Sequence, residues 1–281
     1  MKNTFPELFK SKLTKITFFL FVILTVWWLW LQNLDFELSG DKRQLWAATY
    51  QIIALFGAGV GFYISKRWGG FKSIFGRAIM FFGIGLLLQS FGQSVYSYYI
   101  YYLQIDIPYP SIGDIGFFGS VLAYIYGASL LFKAAGTNFS LKSHGNKLIA
   151  ILIPAIMLGL SYFIFLQDYQ IDSSGILQTF LDFGYPFGQA IYVSIAISTF
   201  MLARESLGGI MRMPTISIIV SLVVQYIADY TFLYQSSRGT WEVGTLNDFL
   251  YLCSYVLMAL ALIHVGSAFK VISSEPQETI N

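Results

Sequence analysis

Charge is what this chain has least of. Lysine, arginine, aspartate and glutamate make up 11% of its 281 residues, against roughly a quarter in soluble proteins. So few charges cannot clothe a water-facing surface, whereas a 56% hydrophobic content suits lipid. The scarcity also argues against nucleic acid as a partner, because the net charge is +2 and no dense Lys/Arg run occurs. Cysteine is nearly absent: a single thiol, Cys253, builds neither an intramolecular disulfide nor a Cys-only metal site. Of the two histidines, His144 sits in a basic loop and His264 near the end of an apolar run, so a His-ligated metal centre is not expected. No nucleophile–His pair, HExxH motif or glycine loop following a strand is present. The chain therefore reads as a non-enzyme with no cofactor. Strand-period alternation is missing too, which argues against a β-barrel.

What the sequence does contain is long apolar runs. A membrane-spanning helix needs about 20 such residues. Eight runs qualify, at 15–34, 44–65, 74–101, 112–134, 147–167, 179–202, 215–235 and 246–267. The expected fold is an all-α, polytopic membrane helix bundle over 15–267, with an N-terminal segment at 1–14 and a short tail at 268–281. The third run exceeds what a bilayer requires and is expected to tilt or project. The first follows basic residues, as a signal peptide would, but it ends in Trp27, Trp28 and Trp30 with no small-residue cleavage site. It reads as an uncleaved span.

The basic residues set a direction. All 17 lysines and arginines except Lys42, Arg43 and Arg238 fall on the N-terminus and on alternate connections. By the positive-inside rule both termini are cytoplasmic, in an inner membrane.

Three acidic turns then face outward: "PYPSIGDIGFF" (108–118), "TFLDFGYPFG" (179–188) and "GTLNDFLYLCSY" (244–255). Ser111-x-x-Asp114, Thr179-x-x-Asp182 and Thr245-x-x-Asp248 share the spacing of a capping box, with Asp in place of Glu. A carboxylate there complements the helix dipole, and capping alone accounts for all three. Lining a polar pocket is the second reading. Asp229 does not fit the first, since it lies near the C-terminal end of the seventh run, where dipole and lipid both disfavour an anion. It needs a partner, and Gln225 four residues earlier and Arg238 in the following loop are the expected ones, Arg238 as an ion pair.

Other polar residues fall at the same depth. Gln89 and Gln93 are four apart on the third helix. Asp182, Tyr185 and Gln189 share a face of the sixth, where Pro186 is expected to introduce a kink. Asn247 and Tyr251 are four apart on the eighth. Together with Asp114, Asp229 and Asp248 they are expected to converge on one outward-facing cavity, while the inner halves are mostly Leu, Ile, Phe, Ala and Gly. Tyr98 to Tyr102 read as interfacial aromatics. Gly57, Gly59, Gly61, Gly83 and Gly85 read as helix-packing sites.

The third and fourth runs with their loop correspond to the seventh and eighth, Asp114 matching Asp248. A parallel 4+4 repeat is one explanation, and shared aromatic composition is the other.

"PYPSIGDIGFFGSVLAY", "DFGYPFGQAIYV", "YIADYTFLY" and "GTLNDFLYLCSYVLMALAL", in this order over roughly residues 45 to 267, resemble the multi-helix membrane domain that precedes PAS and GGDEF domains in bacterial diguanylate cyclases. The matching positions are Pro110, Ser111, Asp114, Asp182, Tyr185, Pro186, Asp229 and Asp248, and Gln189 stands where such regions often carry a second acid. The resemblance implies a sensory, signal-input module, here with no output domain following. The expected function is a receptor-like membrane module that binds a small ligand in the polar pocket and relays to a cytoplasmic signalling partner or within a homo-oligomer. A small-solute transporter or ion pathway, and a structural or assembly subunit, are the alternatives.

Overall fold

Every apolar run becomes a helix. The computed structural model describes residues 4–136, 144–167, 175–202 and 209–274. Lys2, Lys142, Arg204 and the tail from 275 onward, all used above, lie outside the described residues. A short helix α1 (Phe5–Lys10) carries Pro6 in its first turn, where proline is tolerated. Eight long helices follow: α2 (Lys12–Gln32), α3 (Gly40–Arg67), α4 (Ile74–Ser97), α5 (Gly113–Ala134), α6 (His144–Ser161), α7 (Ile176–Leu202), α8 (Arg212–Ser237) and α9 (Leu246–Ser273). All eight are long and apolar enough to cross a membrane. The protein is a multi-pass membrane helical bundle, with no strand among the described residues.

Several ends differ from the sequence reading. Helix α4 continues as a π-helical segment over Tyr98–Leu103, so the third span runs for 30 residues, Ile74–Leu103. Helix α9 reaches Ser273, taking in residues assigned to the tail. Helix α7 begins at Ile176, three residues before Thr179.

Helices α3, α4, α5, α7, α8 and α9 close into a ring, each packing on the next and α9 returning to α3. Helix α2 lies outside against α3 and α9, and α6 lies outside against α7. Shifting the chain by four helices carries the ring onto itself. The α3–α4, α4–α5 and α3–α9 interfaces become α7–α8, α8–α9 and α7–α5, and peripheral α2 becomes peripheral α6. That is the adjacency a parallel repeat produces.

Small residues permit the close approaches, as membrane interfaces require. A Cβ on Gly61 would stand 3.0 Å from the Gly83 Cα, and one on Gly85 would overlap the Tyr124 ring. Gly57 and Gly83 are similarly crowded, but Gly59 faces open space and is not a packing site.

With an even number of spans, both described ends lie on one side of the bundle, called here the terminal end. Thr4 reaches His264 near the close of α9, its Oγ1 2.7 Å from Nε2. The described basic residues other than Lys42, Arg43 and Arg238 sit at helix ends on this side, so the two ends of the bundle differ in charge as the sequence suggested. The opposite side is the distal end.

Candidate functional site

A cavity of about 1320 Å³ occupies the distal half of the ring. Its mouth is formed by the loops and helix ends around Asp41, Asp106 and Ser237, and its floor by Gln89, Gln189, Asp229 and Tyr255. Those four are only 3%, 3%, 4% and 1% exposed. Below the floor the ring is filled by Phe82, Leu86, Leu222 and Leu262, all fully buried. The polar distal half and this apolar layer follow the asymmetry seen in the sequence, with Thr215, His264 and Ser267 buried nearer the terminal end.

Two Tyr–Asp pairs clamp the walls. Tyr185 of α7 donates to Asp114 Oδ1 of α5 at 2.6 Å, and Tyr50 of α3 donates to Asp248 Oδ1 of α9 at 3.3 Å. Each aspartate also accepts a backbone N–H at its helix start, from Ser111 at 2.7 Å and from Gly244 at 2.6 Å respectively. Two Gln–Ser pairs lie one level deeper. Gln89 Nε2 donates to Ser120 Oγ at 2.8 Å, joining α4 to α5. Ser254 donates to Gln225 Oε1 at 2.7 Å, joining α9 to α8. Tyr50 with Tyr185, Asp248 with Asp114, Gln225 with Gln89 and Ser254 with Ser120 correspond under the four-helix shift. The side-chain network therefore repeats along with the helices.

Asp229 breaks the symmetry, since Gln93 stands at its counterpart. Its Oδ2 accepts from Tyr192 of α7 at 2.8 Å and its Oδ1 from Gln225 at 2.9 Å. The Tyr251 hydroxyl is a further neighbour. The expected ion pair with Arg238 does not form. Arg238 caps the distal end of α8, its guanidinium 4.7 Å from the Tyr234 ring centroid, about two turns beyond the carboxylate.

The other candidates separate cleanly. Asp114, Asp182, Tyr185, Gln189, Gln89, Gln93, Asp229, Asp248 and Tyr251 all line the cavity. Gln225 does not line it but holds Asp229. Asn247 faces the helix interface, donating to Ala228 O at 2.9 Å and tying α9 to α8. Gln93 donates to Ala47 O at 3.4 Å. The Tyr226 and Tyr230 rings are tilted against each other, their centroids 4.0 Å apart. Tyr230 then meets Ser161 and the Pro186 carbonyl, holding α6 and α8 to α7.

The capping expectation holds unevenly. Asp114 takes the Ser111 N–H as a capping box does. Thr245 makes no side-chain cap, its hydroxyl donating to Glu242 O instead. Thr179 and Asp182 sit inside α7, so no capping box exists there. Asp182 instead accepts the Tyr109 hydroxyl at 2.7 Å, bringing the "PYP" loop down on α7 at the mouth. Partial burial, then this hydrogen bond, push the Tyr109 phenol above its ordinary range, so it stays a donor.

Sequence reasoning missed Tyr50, Tyr192 and Tyr255. Tyr255 donates to Gln89 Oε1 at 3.0 Å across the floor. It also missed Arg43, which is 3% exposed and donates to Leu31 O at 2.9 Å and Gly244 O at 3.3 Å. Arg43 thus fixes the loop whose Gly244 N–H caps Asp248. Comparison with protein-family models, curated proteins and solved structures finds no match to this chain.

Proposed function

We propose that this membrane protein is a receptor-like sensory module that takes a small ligand into the distal cavity and passes the change to a partner at the terminal end. The observation that carries the reading is Gln189. It is 3% exposed, it lines the cavity, and its Oε1 has no hydrogen-bond partner. Buried polar atoms are almost always paired, and a bound ligand is the partner this position supplies. The diguanylate-cyclase resemblance points the same way. With both termini in the cytoplasm, the cavity opens to the outside of an inner membrane.

A solute pathway needs polar groups continuing to the terminal end, and the layer of Phe82, Leu86, Leu222 and Leu262 offers none. Sensing therefore fits the cavity better than transport.

Native mass spectrometry of protein released from nanodiscs tests the reading. A reproducible non-lipid adduct on the wild type, absent from a folded Asp229→Asn variant, is expected. Bare protein in both samples counts against a ligand, and solute flux above background in proteoliposomes would replace sensing by transport.

A further inference from the structure

We infer that the ligand is an organic ammonium ion bearing N–H donors, held at the cavity floor by Asp229 and Gln189; the inference rests on the binding role proposed above. Charge comes first. Among the described residues, every charged side chain lining the cavity is an aspartate (Asp41, Asp106, Asp114, Asp182, Asp229 and Asp248), and no lysine, arginine or histidine lines it. A carboxylate or phosphate ligand would meet repulsion from mouth to floor, whereas a cation is drawn in.

The floor itself supplies the second argument. Asp229 is buried inside a membrane-spanning helix with Tyr192, Gln225 and Tyr251 as donors and no cation in ion-pair range among the described residues. Such a group is costly unless a counter-charge completes it. A carboxylate has about four acceptor sites, so these three donors leave it room for one more. Gln189 Oε1 adds an acceptor that lacks a donor. It lies three residues from Tyr192 on α7, on the helix face that reaches Asp229. At the floor these acceptors call for hydrogen-bond donors on the ligand, which an ammonium supplies together with the counter-charge, while the unpaired Trp241 Nε1 elsewhere on the cavity wall leaves room for one acceptor on the same ligand.

The walls supply the third. Tyr50, Tyr251 and Tyr255 all line the cavity, with Tyr50–Tyr255 and Tyr251–Tyr255 ring centroids 6.0 and 6.1 Å apart. Aromatic faces beside a carboxylate suit an organic cation. A bare metal ion finds no ligand set, because no three His, Cys, Asp or Glu side chains among the described residues are grouped to hold one.

The test uses the full chain in nanodiscs and a matched probe panel: 2-phenylethylamine, 1,4-diaminobutane and spermidine, with alcohols and carboxylates of the same skeletons. Binding is read by ligand-observed NMR and by microscale thermophoresis. Ammonium members are expected to bind at least tenfold more tightly than their matched alcohols and carboxylates. Asp229→Asn and Gln189→Met should each lower that affinity, the first by tenfold or more. Gln189→Met keeps the side chain's bulk and breaks no hydrogen bond of Oε1, so it serves if Asp229→Asn fails to fold. If alcohols or carboxylates bind as well as the ammonium probes, the inference is overturned and the receptor reading stands. If no member binds, both fall. Ammonium binding unchanged in a folded variant would place it away from this floor and overturn the assignment of Asp229 and Gln189.

Discussion

Tyr192 donates to Asp229 Oδ2 at 2.8 Å, so a hydroxyl of α7, and not a charge, holds the buried carboxylate of α8. Losing that donor leaves a buried oxygen short of one hydrogen bond. Tyr192→Phe should therefore cost about 1–3 kcal/mol of stability. In an Asp229→Asn background the cost should be clearly smaller, because the two side chains act through one another. Reversible unfolding in mixed micelles of both single variants and the double gives the coupling. Equal costs in both backgrounds would mean that the hydroxyl stabilises something else.

The paired clamps make a second, comparative prediction. Tyr185–Asp114 is short at 2.6 Å and Tyr50–Asp248 long at 3.3 Å, though they are repeat counterparts. Tyr185→Phe should cost more than Tyr50→Phe, with both near the roughly 1–2 kcal/mol of a buried hydrogen bond. The same unfolding assay ranks them, and the reverse order would contradict the geometry.

Glycine offers a sharp contrast. Gly85 lies under the Tyr124 ring, whereas Gly59 has nothing within 4 Å of an added Cβ. Gly85→Leu should overpack the α4–α5 interface and destabilise by about 1–3 kcal/mol or more. Gly59→Leu should be tolerated, the new side chain meeting lipid. Comparable losses at both sites would mean that Gly59 is covered by another subunit.

The proposed orientation rests on the charge asymmetry and is open to direct labelling. In a Cys253→Ala background, an impermeant maleimide applied to intact cells should modify Asp106→Cys and leave Ser273→Cys untouched. The opposite pattern would place the cavity mouth in the cytoplasm and reverse the proposed direction of signalling.

Much of the architecture was legible in the sequence because lipid imposes it. Every apolar run of sufficient length is a helix, and the glycine and proline turns separate them. The ring order was not, because it depends on which faces meet. The polar convergence was readable from four-residue spacings on α4, α7 and α9. Tyr50 and Tyr255 escaped because an aromatic within an apolar run looks like core until the opposite wall is known. The partner of Asp229 escaped for another reason. A buried anion invites a search for a cation, and Arg238 was the nearest in sequence. Tyr192 lies 37 residues away on a neighbouring helix, a distance that no local pattern crosses. Helix α7 starts earlier than its apolar run suggests, so Asp182 moves from a helix cap to the cavity wall.

The acidic cavity reached from one side, with Gln189 at its floor, is the claim on which the account turns. Thiol-specific labelling of Gln189→Cys in a Cys253→Ala background tests it directly, comparing cationic and anionic methanethiosulfonate reagents applied from each side. The account predicts modification from the distal side only, with the cationic reagent reacting at least tenfold faster than the anionic one. No modification, modification from the terminal side, or equal rates for the two charges would contradict it.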